Sequence, residues 1–134
     1  MTVEGLITLR SSFPYDETLA RFEAAVRANG MSTIARVDHA AAASDAGLSL
    51  DATTLLMFGN STCQAVLVKA LRILALDLPF KALIWVDASG QTWVAYNDLR
   101  WLAKRYAAAS EDARPIIDMA VTVDGIARKA VLPP

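Results

Sequence analysis

The segment between residues 81 and 96 constrains the fold more than any other part of the sequence. Two runs rich in β-branched and aromatic residues, at 81–87 and 91–96, flank a short Ala-Ser-Gly segment at 88–90. A glycine-containing turn between two such runs is typical of a β-hairpin, whose strands are antiparallel. The sequence therefore predicts a sheet that is at least partly antiparallel.

Apolar runs and amphipathic segments predict the rest of the architecture. Short apolar or β-branched runs at 5–10, 31–38 and 54–58 are typical of strands, and the last of these resembles a strand buried on both faces. Segments with apolar residues at three- and four-residue spacing predict helices between and after the strands, including one that continues from residue 61 or 62 to just before Pro79. The predicted order is β-α-β-(α)-β-α-β-β-α-α. The expected fold class is α+β: a partly antiparallel sheet with helices packed on it, in a single two-layer domain.

The chain has the length of one domain, with 134 residues. We expect an α+β core domain over residues 1–109 and a C-terminal helical extension over residues 110–134, either as a last helix or as a tail exchanged with a partner. The composition is 54% hydrophobic with a mean hydropathy of +0.34, which is apolar for so small a chain. Because two-fold assemblies are the commonest oligomers, this excess favours a homodimer; a core rich in small alanines is the alternative.

Charge and residue counts exclude several classes of function. The net charge is −1 and no basic run is present, so nucleic acid is not an expected partner. One cysteine and one histidine, Cys63 and His39, can form neither an internal disulfide nor a tetrahedral zinc site, so no metal and no cofactor is predicted. The most hydrophobic segment, 65–80, contains three charged residues and is shorter than a membrane span. With no secretory signal at residues 1–5, we expect a cytoplasmic protein that does not bind a membrane.

The segment from Gly59 to Thr62 is the strongest candidate for a binding site. It joins an apolar strand directly to the start of a helix, where free backbone N–H groups and the helix dipole favour an anion or a carbonyl oxygen. Gly59 would allow close approach of a ligand, and Asn60, Ser61 and Thr62 would supply donors. The alternative is an ordinary turn with a helix cap. The segment lacks the glycine spacing and the lysine of a P-loop.

His39 and Cys63 are the candidates for chemistry at neutral pH. His39 could act as an acid or base, or it could be a hydrogen-bonded structural histidine. Cys63 could be a reactive thiol in the first turn of a helix, or a small buried hydrophobe. A pair of the two would require the fold to bring them together.

Four aromatic residues, Trp85, Trp93, Tyr96 and Trp101, lie on the hairpin and on the helix that follows it. Cross-strand packing in the core or at a dimer interface accounts for them. A pocket for a flat ligand such as haem, with His39 or a methionine as axial ligand, is the alternative.

Three stretches of the sequence carry a family resemblance. They are Val-Asp-His-Ala-Ala-Ala at 37–42, Leu-Leu-Met-Phe-Gly-Asn at 55–60 and Ala-Leu-Asp-Leu-Pro at 75–79. Together they resemble the small bacterial family known as domain of unknown function 302, over about residues 1–108. The resemblance implies an α+β fold and frequent dimerisation. It implies no activity, because the family has no established general one.

Two positions of the family pattern fall on the candidate site. The aspartate-histidine pair of the family corresponds to Asp38 and His39. Its glycine-asparagine-proline turn corresponds to Gly59 and Asn60, with Ser61 in place of the proline. Serine loses the rigidity of proline and keeps the ability to cap a helix.

No group of residues in the sequence is specific for one reaction, so catalytic residues are not assigned. The sequence leaves open whether the protein is an enzyme. The leading hypothesis is a dimeric, non-catalytic or regulatory domain that binds a small polar or anionic ligand. Its predicted ligand-binding residues border one hollow and are His39, Gly59, Asn60, Ser61, Thr62 and Cys63. One alternative is an enzyme with His39 as acid–base and Cys63 as nucleophile. The other is a structural protein-interaction module.

Overall fold

The computed structural model describes residues 2–134, which form one sheet and several helices. The strands are β1 (Leu6–Arg10), β2 (Ser32–Asp38), β3 (Thr53–Gly59), β4 (Phe80–Val86) and β5 (Thr92–Asn97). The helices are α1 (Tyr15–Ala28), α2 (His39–Asp45), α3 (Ser61–Ala70), a 3-10 helix (Arg72–Asp77), α4 (Leu99–Arg105) and α5 (Ser110–Val131). The predicted α+β class and the predicted order of strands and helices are confirmed.

The sheet has the strand order β1-β5-β4-β3-β2, and all its neighbouring strands are antiparallel. The predicted hairpin forms the β4–β5 pair at its centre. The strand pairing aligns one row of side chains across all five strands, and this row consists of Thr8, Ala95, Leu83, Leu55 and Val37. The sheet is thus antiparallel throughout, where the sequence predicted this only in part.

The core lies between one face of the sheet and the helices. Alternate residues of the central strands are almost completely buried on this face, including Leu56, Phe58, Ile84 and Val94. The helices contribute buried side chains to the same core, including Phe22 and Val26 of α1, Leu67 of α3 and Ile126 of α5. The side chains on the opposite face of the sheet are outside this core, and most of them are half-buried.

Helix α5 is part of the core, although the sequence predicted an extension beyond residue 109. Its spacing of apolar residues places seven buried side chains on one stripe: Ile116, Ala120, Val123, Ile126, Ala127, Ala130 and Val131. The helix packs alongside α1 and α4. Residues on both sides of the predicted boundary thus contribute to one core.

The long helix predicted from residue 61 to residue 78 is interrupted. Leu71 has extended backbone angles, with φ −150° and ψ 96°, and it separates α3 from the 3-10 helix. No glycine or proline marks this point in the sequence. Leu71 and Leu74 both pack against the core, so tertiary packing sets the position of the break.

The edge strand β2 contains a bulge. The register with β3 shifts between Thr33 and Ala35, which leaves Ile34 as an extra residue that is 51% exposed. Beside the bulge, the buried carboxylate of Glu23 in α1 accepts hydrogen bonds from the Thr33 hydroxyl and from Arg36. The other edge strand, β1, has only five residues.

Candidate functional site

The corner between β3 and α3 has the predicted strand-to-helix geometry. Asn60 caps α3, because its Oδ1 accepts a hydrogen bond from the Cys63 N–H at 2.7 Å. Its Nδ2 donates to the carbonyl oxygen of Gly30 at 3.0 Å. The Asn60 side chain thus has structural partners at both ends. Gly59 has a φ of +155°, a backbone conformation that favours glycine, and a Cβ there would meet only the end of the flexible Gln64 side chain.

Ser61 and Thr62 supply the remaining polar groups of the corner. Both residues are exposed, and their backbone N–H groups lie in the first turn of α3, where helical N–H groups have no partner within the helix. Cys63 is half-buried and packs against the core. The corner can therefore offer an anion two N–H groups and two hydroxyl groups, at the surface of the molecule.

His39 lies at the other end of the same pair of strands. The antiparallel register pairs Ser32 with Gly59 at one end and Asp38 with Thr54 at the other. The strand from Thr54 to Gly59 spans about 17 Å, so the imidazole and the corner cannot border one hollow as predicted. His39 is exposed at the start of α2, and the Asp38 carboxylate caps this helix by accepting from the Ala41 N–H at 2.9 Å.

The same separation removes the predicted pair of His39 and Cys63. Proton transfer from a thiol to an imidazole requires hydrogen-bond contact or one bridging water, and the length of β3 exceeds both. Within residues 2–134, no group of three or more His, Cys, Asp or Glu side chains could hold a metal ion. None of the described helices combines the length and the apolar character that crossing a membrane requires.

The four aromatic residues do not form a common pocket. Trp85 and Trp93 are cross-strand partners on the outer face of the hairpin and stack with ring centroids 6.4 Å apart and planes 21° apart. Tyr96 is buried on the helix side of the sheet, and Trp101 of α4 packs against Gly5. The predicted cross-strand packing accounts for Trp85 and Trp93, and the predicted packing in the core accounts for Tyr96 and Trp101.

The turn of the β4–β5 hairpin fixes the orientation of Trp93. One carboxylate oxygen of Asp87 accepts from the Ser89 hydroxyl at 2.7 Å and from the N–H groups of Ser89 and Gln91 at 3.0 Å. The other accepts from the indole N–H of Trp93 at 2.8 Å. The Ser89 hydroxyl and then the Trp93 indole contribute most to lowering the pKa of Asp87 to about 2.

The outer face of the sheet is largely apolar at its centre, and we call it the open face. It consists of Thr8, Val37, Leu55, Met57, Leu83, Trp85, Trp93 and Ala95. Its charged side chains lie at the margins: Arg10 donates to Gln91 at 2.8 Å, and Lys81 donates to the carbonyl oxygen of Asp77 at 3.3 Å. The sequence signal for this surface is the unbroken apolar run of β3, which predicted a strand buried on both faces.

A small polar cavity lies on the helix side, near the end of β5. Its volume is about 40 Å³ and its lining residues are Asp77, Phe80, Lys81, Tyr96, Asn97, Leu99, Leu102 and Val123. This volume suits ordered water and is far below that of a typical site for an organic ligand. No local sequence signal indicated this cavity, because its polar residues come from separate elements.

A hydrogen-bond network beside the cavity connects β5, α4 and α5. The Tyr96 hydroxyl donates to Asp124 at 2.7 Å, and Arg100 donates to the same carboxylate at 2.7 Å and to Asp98 at 2.8 Å. Burial, followed by the hydrogen bond to Asp124, raises the pKa of Tyr96 far above its ordinary value. The polar side chains of this network are hydrogen-bonded to one another, which indicates a structural role.

Comparison with known proteins gives a family and a set of longer relatives. The model of the family described as "Domain of unknown function DUF302" matches residues 7–123, which extends well into α5. The chain is 44% identical over 103 residues to "Fluoride-specific ion channel FluC 1" of Brucella suis biovar 1, covering 77% of this chain and 41% of that protein. It is equally similar to "Fluoride-specific ion channel FluC 1" of Brucella abortus biovar 1, of which it covers 38%. The chain thus spans about two fifths of the length of these relatives.

A solved structure shares the fold. The crystal structure of an uncharacterized conserved DUF302 protein from Bacillus stearothermophilus superposes with a TM-score of 0.85 over 96% of this chain and 99% of that chain. The two sequences are 15% identical, so this similarity concerns the fold alone.

Proposed function

Because the chain belongs to the DUF302 family, whose description specifies no activity, we propose that it is a non-catalytic interaction domain that pairs with a second copy of itself through the open face. One observation carries this proposal. Strands that are apolar on both faces are typical of sheets covered on both sides, and here the helices that form the core cover one side only. A second copy would supply the missing cover.

The charge distribution of the open face favours a copy over a charged partner. In a two-fold interface both subunits contribute the same surface. A charged residue at the centre of this surface would therefore lie close to the same charge on the other subunit. The row through Leu83 at the centre of the face contains no charged residue, and Arg10 and Lys81 lie near its margins. The face can therefore meet a copy of itself without like-charge repulsion at its centre.

The size of the open face also suits self-association. Five strands about 4.8 Å apart and about 20 Å long give a flat area on the order of 500 Å². Protruding side chains such as Trp85 and Trp93 add accessible surface to this area. This area is of the same order as the roughly 800 Å² that each partner buries in a stable complex. The stacked tryptophan pair is the type of rigid aromatic group that contributes most to interfaces.

Sedimentation velocity over a range of protein concentrations tests this proposal. We expect the native protein to sediment as a dimer at micromolar concentration and Leu83→Lys to sediment as a monomer, because it places a charge at the centre of the paired faces. Leu83 belongs to the outer face, so the monomer can accept the lysine side chain without burying its charge.

Leu76→Lys is the matched control. Leu76 is 74% exposed on the 3-10 helix, away from the open face, and its substitution should leave the dimer intact. A native protein that stays monomeric at high concentration would contradict the proposal. So would a Leu83→Lys protein that dimerises as well as the control.

The names of the longer relatives favour a second candidate function, namely binding of a small anion at the corner of Ser61 and Thr62. Those relatives are fluoride-specific ion channels, and this domain would act beside such a protein as a regulatory module. The exposed hydroxyl groups and first-turn N–H groups of the corner support this function, because a helix N-terminus favours an anion. His39 would have no part in it.

Amide chemical shifts during titration with sodium fluoride test the second function, with sodium chloride at equal ionic strength as control. We expect saturable shifts at Ser61 and Thr62 with fluoride alone. Equal shifts with both salts, or shifts spread over the whole surface, would rule out a fluoride site at this corner.

A further inference from the structure

A basic groove runs between α1 and the C-terminal end of α5. It consists of two adjoining cavities of about 290 and 360 Å³, which share Arg21 and Lys129 as walls. The first has a floor of small α1 residues, Ala24, Ala25 and Ala28. The second is lined in addition by Arg128, Leu132, Pro133 and Pro134. Both are shallow and open to solvent, with volumes near the lower end of the range for small-molecule sites.

The cations of the basic groove have no acidic partners among residues 2–134. The ion pairs of the described chain involve Arg36, Arg100 and Arg114, and none involves Arg21, Arg128 or Lys129. Arg128 and Lys129 place two positive charges on one concave surface, which concentrates an anion there. In the groove beside α4, by contrast, the charge of Arg100 is already neutralised by two aspartates.

Arg21 neutralises the negative end of α5, which would otherwise weaken an anion site. Its Nε donates to the carbonyl oxygen of Lys129 and its Nη2 to that of Leu132, each at 3.3 Å. The guanidinium also lies 4.0 Å from the ring centroid of Phe13, which further restricts its position. With these terminal carbonyl groups bound by Arg21, the exposed side chains of Arg128 and Lys129 are available to a ligand.

We propose that the basic groove binds a small soluble organic phosphate. A phosphate dianion matches the fork of an arginine and the ammonium of a lysine, and its two negative charges suit a site with two cations that form no ion pair with the described residues. The alanine floor leaves room beside the cations for a small apolar group attached to the phosphate. The groove lies in the helix layer, on the other side of the sheet from the open face, so this inference depends on neither the dimer nor the fluoride site.

Isothermal titration calorimetry with phenyl phosphate at low ionic strength tests the inference. We expect saturable binding to the native protein, with Arg128→Gln and Lys129→Gln each weakening it about tenfold through loss of a charge-assisted hydrogen bond. Both residues are exposed, so these variants should fold. Lys104→Gln is the matched control, because Lys104 is an exposed lysine on α4 outside this groove, and its substitution should leave the affinity unchanged.

A second variant distinguishes the contribution of the organic group to the affinity from that of the phosphate. Ala28→Leu fills the floor of the groove without changing its charge, and we expect it to abolish the advantage of phenyl phosphate over inorganic phosphate. Three results would overturn the inference: no binding at about 1 mM phenyl phosphate, equal affinity of the native protein for phenyl and inorganic phosphate, or a loss of affinity in Lys104→Gln as large as in Lys129→Gln.

Discussion

At the scale of single residues, Gly5 determines the close contact between the start of β1 and Trp101 of α4. Its φ of +77° favours glycine, and a Cβ there would lie 2.2 Å from Cδ2 of Trp101. We expect Gly5→Ala to lower the free energy of unfolding by about 2 to 4 kcal/mol, since it adds steric overlap to backbone strain. Urea denaturation measures this change.

Gly30→Ala is the control for that substitution. Gly30 has a similar φ of +75° and open space around it, so its replacement should cost only about 1 kcal/mol from backbone strain. Equal losses of unfolding free energy at the two positions would show that the contact with Trp101 does not contribute to the effect of Gly5→Ala.

Asp87 provides a residue-scale prediction on pH. Because its pKa is lowered from 3.8 to about 2, its stabilising contribution is complete above about pH 4 and is lost as the pH falls towards 2. Protonation weakens the hydrogen bond from the Trp93 indole, so we expect a tryptophan fluorescence change in this range. An Asp87→Asn protein should lack this change, and its presence there would assign the change to another group.

At the scale of elements, the hydrogen bond from Tyr96 to Asp124 joins the sheet to α5. We expect Tyr96→Phe to lower the free energy of unfolding by about 1 to 2 kcal/mol. Because the pKa of Tyr96 is raised in the folded protein, its neutral form contributes stability that is complete below about pH 10 and is lost as the pH rises above that value.

Urea denaturation between pH 8 and about pH 11 measures this dependence. Tyr106 also has a raised pKa, owing mainly to its hydrogen bond to Asp77, so part of the alkaline loss should persist in Tyr96→Phe. An unchanged alkaline slope in that variant would show that Tyr96 does not contribute to it.

The elements themselves could be predicted well from the sequence, because periodicity and turn residues are local properties. The turn at 88–90 identified the hairpin, and the spacing of Ile116, Ala120 and Val123 identified α5. The break at Leu71 could not be predicted, because it depends on packing against the core rather than on a local breaker residue.

The candidate site could be predicted only in part. The corner at Gly59 follows from local sequence, whereas its distance from His39 depends on the antiparallel register of β2 and β3. Neighbouring antiparallel strands place their carboxyl ends at opposite edges of a sheet, so residues that follow two such strands lie far apart. The sequence left the strand order open and therefore could not exclude the shared hollow.

At the scale of the whole molecule, the proposed dimer makes stability depend on protein concentration. Folding and pairing are then coupled by mass action, so we expect the Tm of the native protein to rise by a few degrees for each tenfold increase in concentration. The Leu83→Lys protein should show one Tm at all concentrations. A native Tm that does not change would exclude a dimer that dissociates as the chain unfolds.

The bulge at Ile34 affects how far such association can proceed. A straight, unpaired edge strand allows chain after chain to add by backbone hydrogen bonding, and this growth leads to fibrils. Here the bulge distorts one edge of the sheet, and the other edge has only five residues. Each molecule keeps one apolar face, which a single copy would occupy, so assembly should stop at two chains and the protein should resist polymerisation.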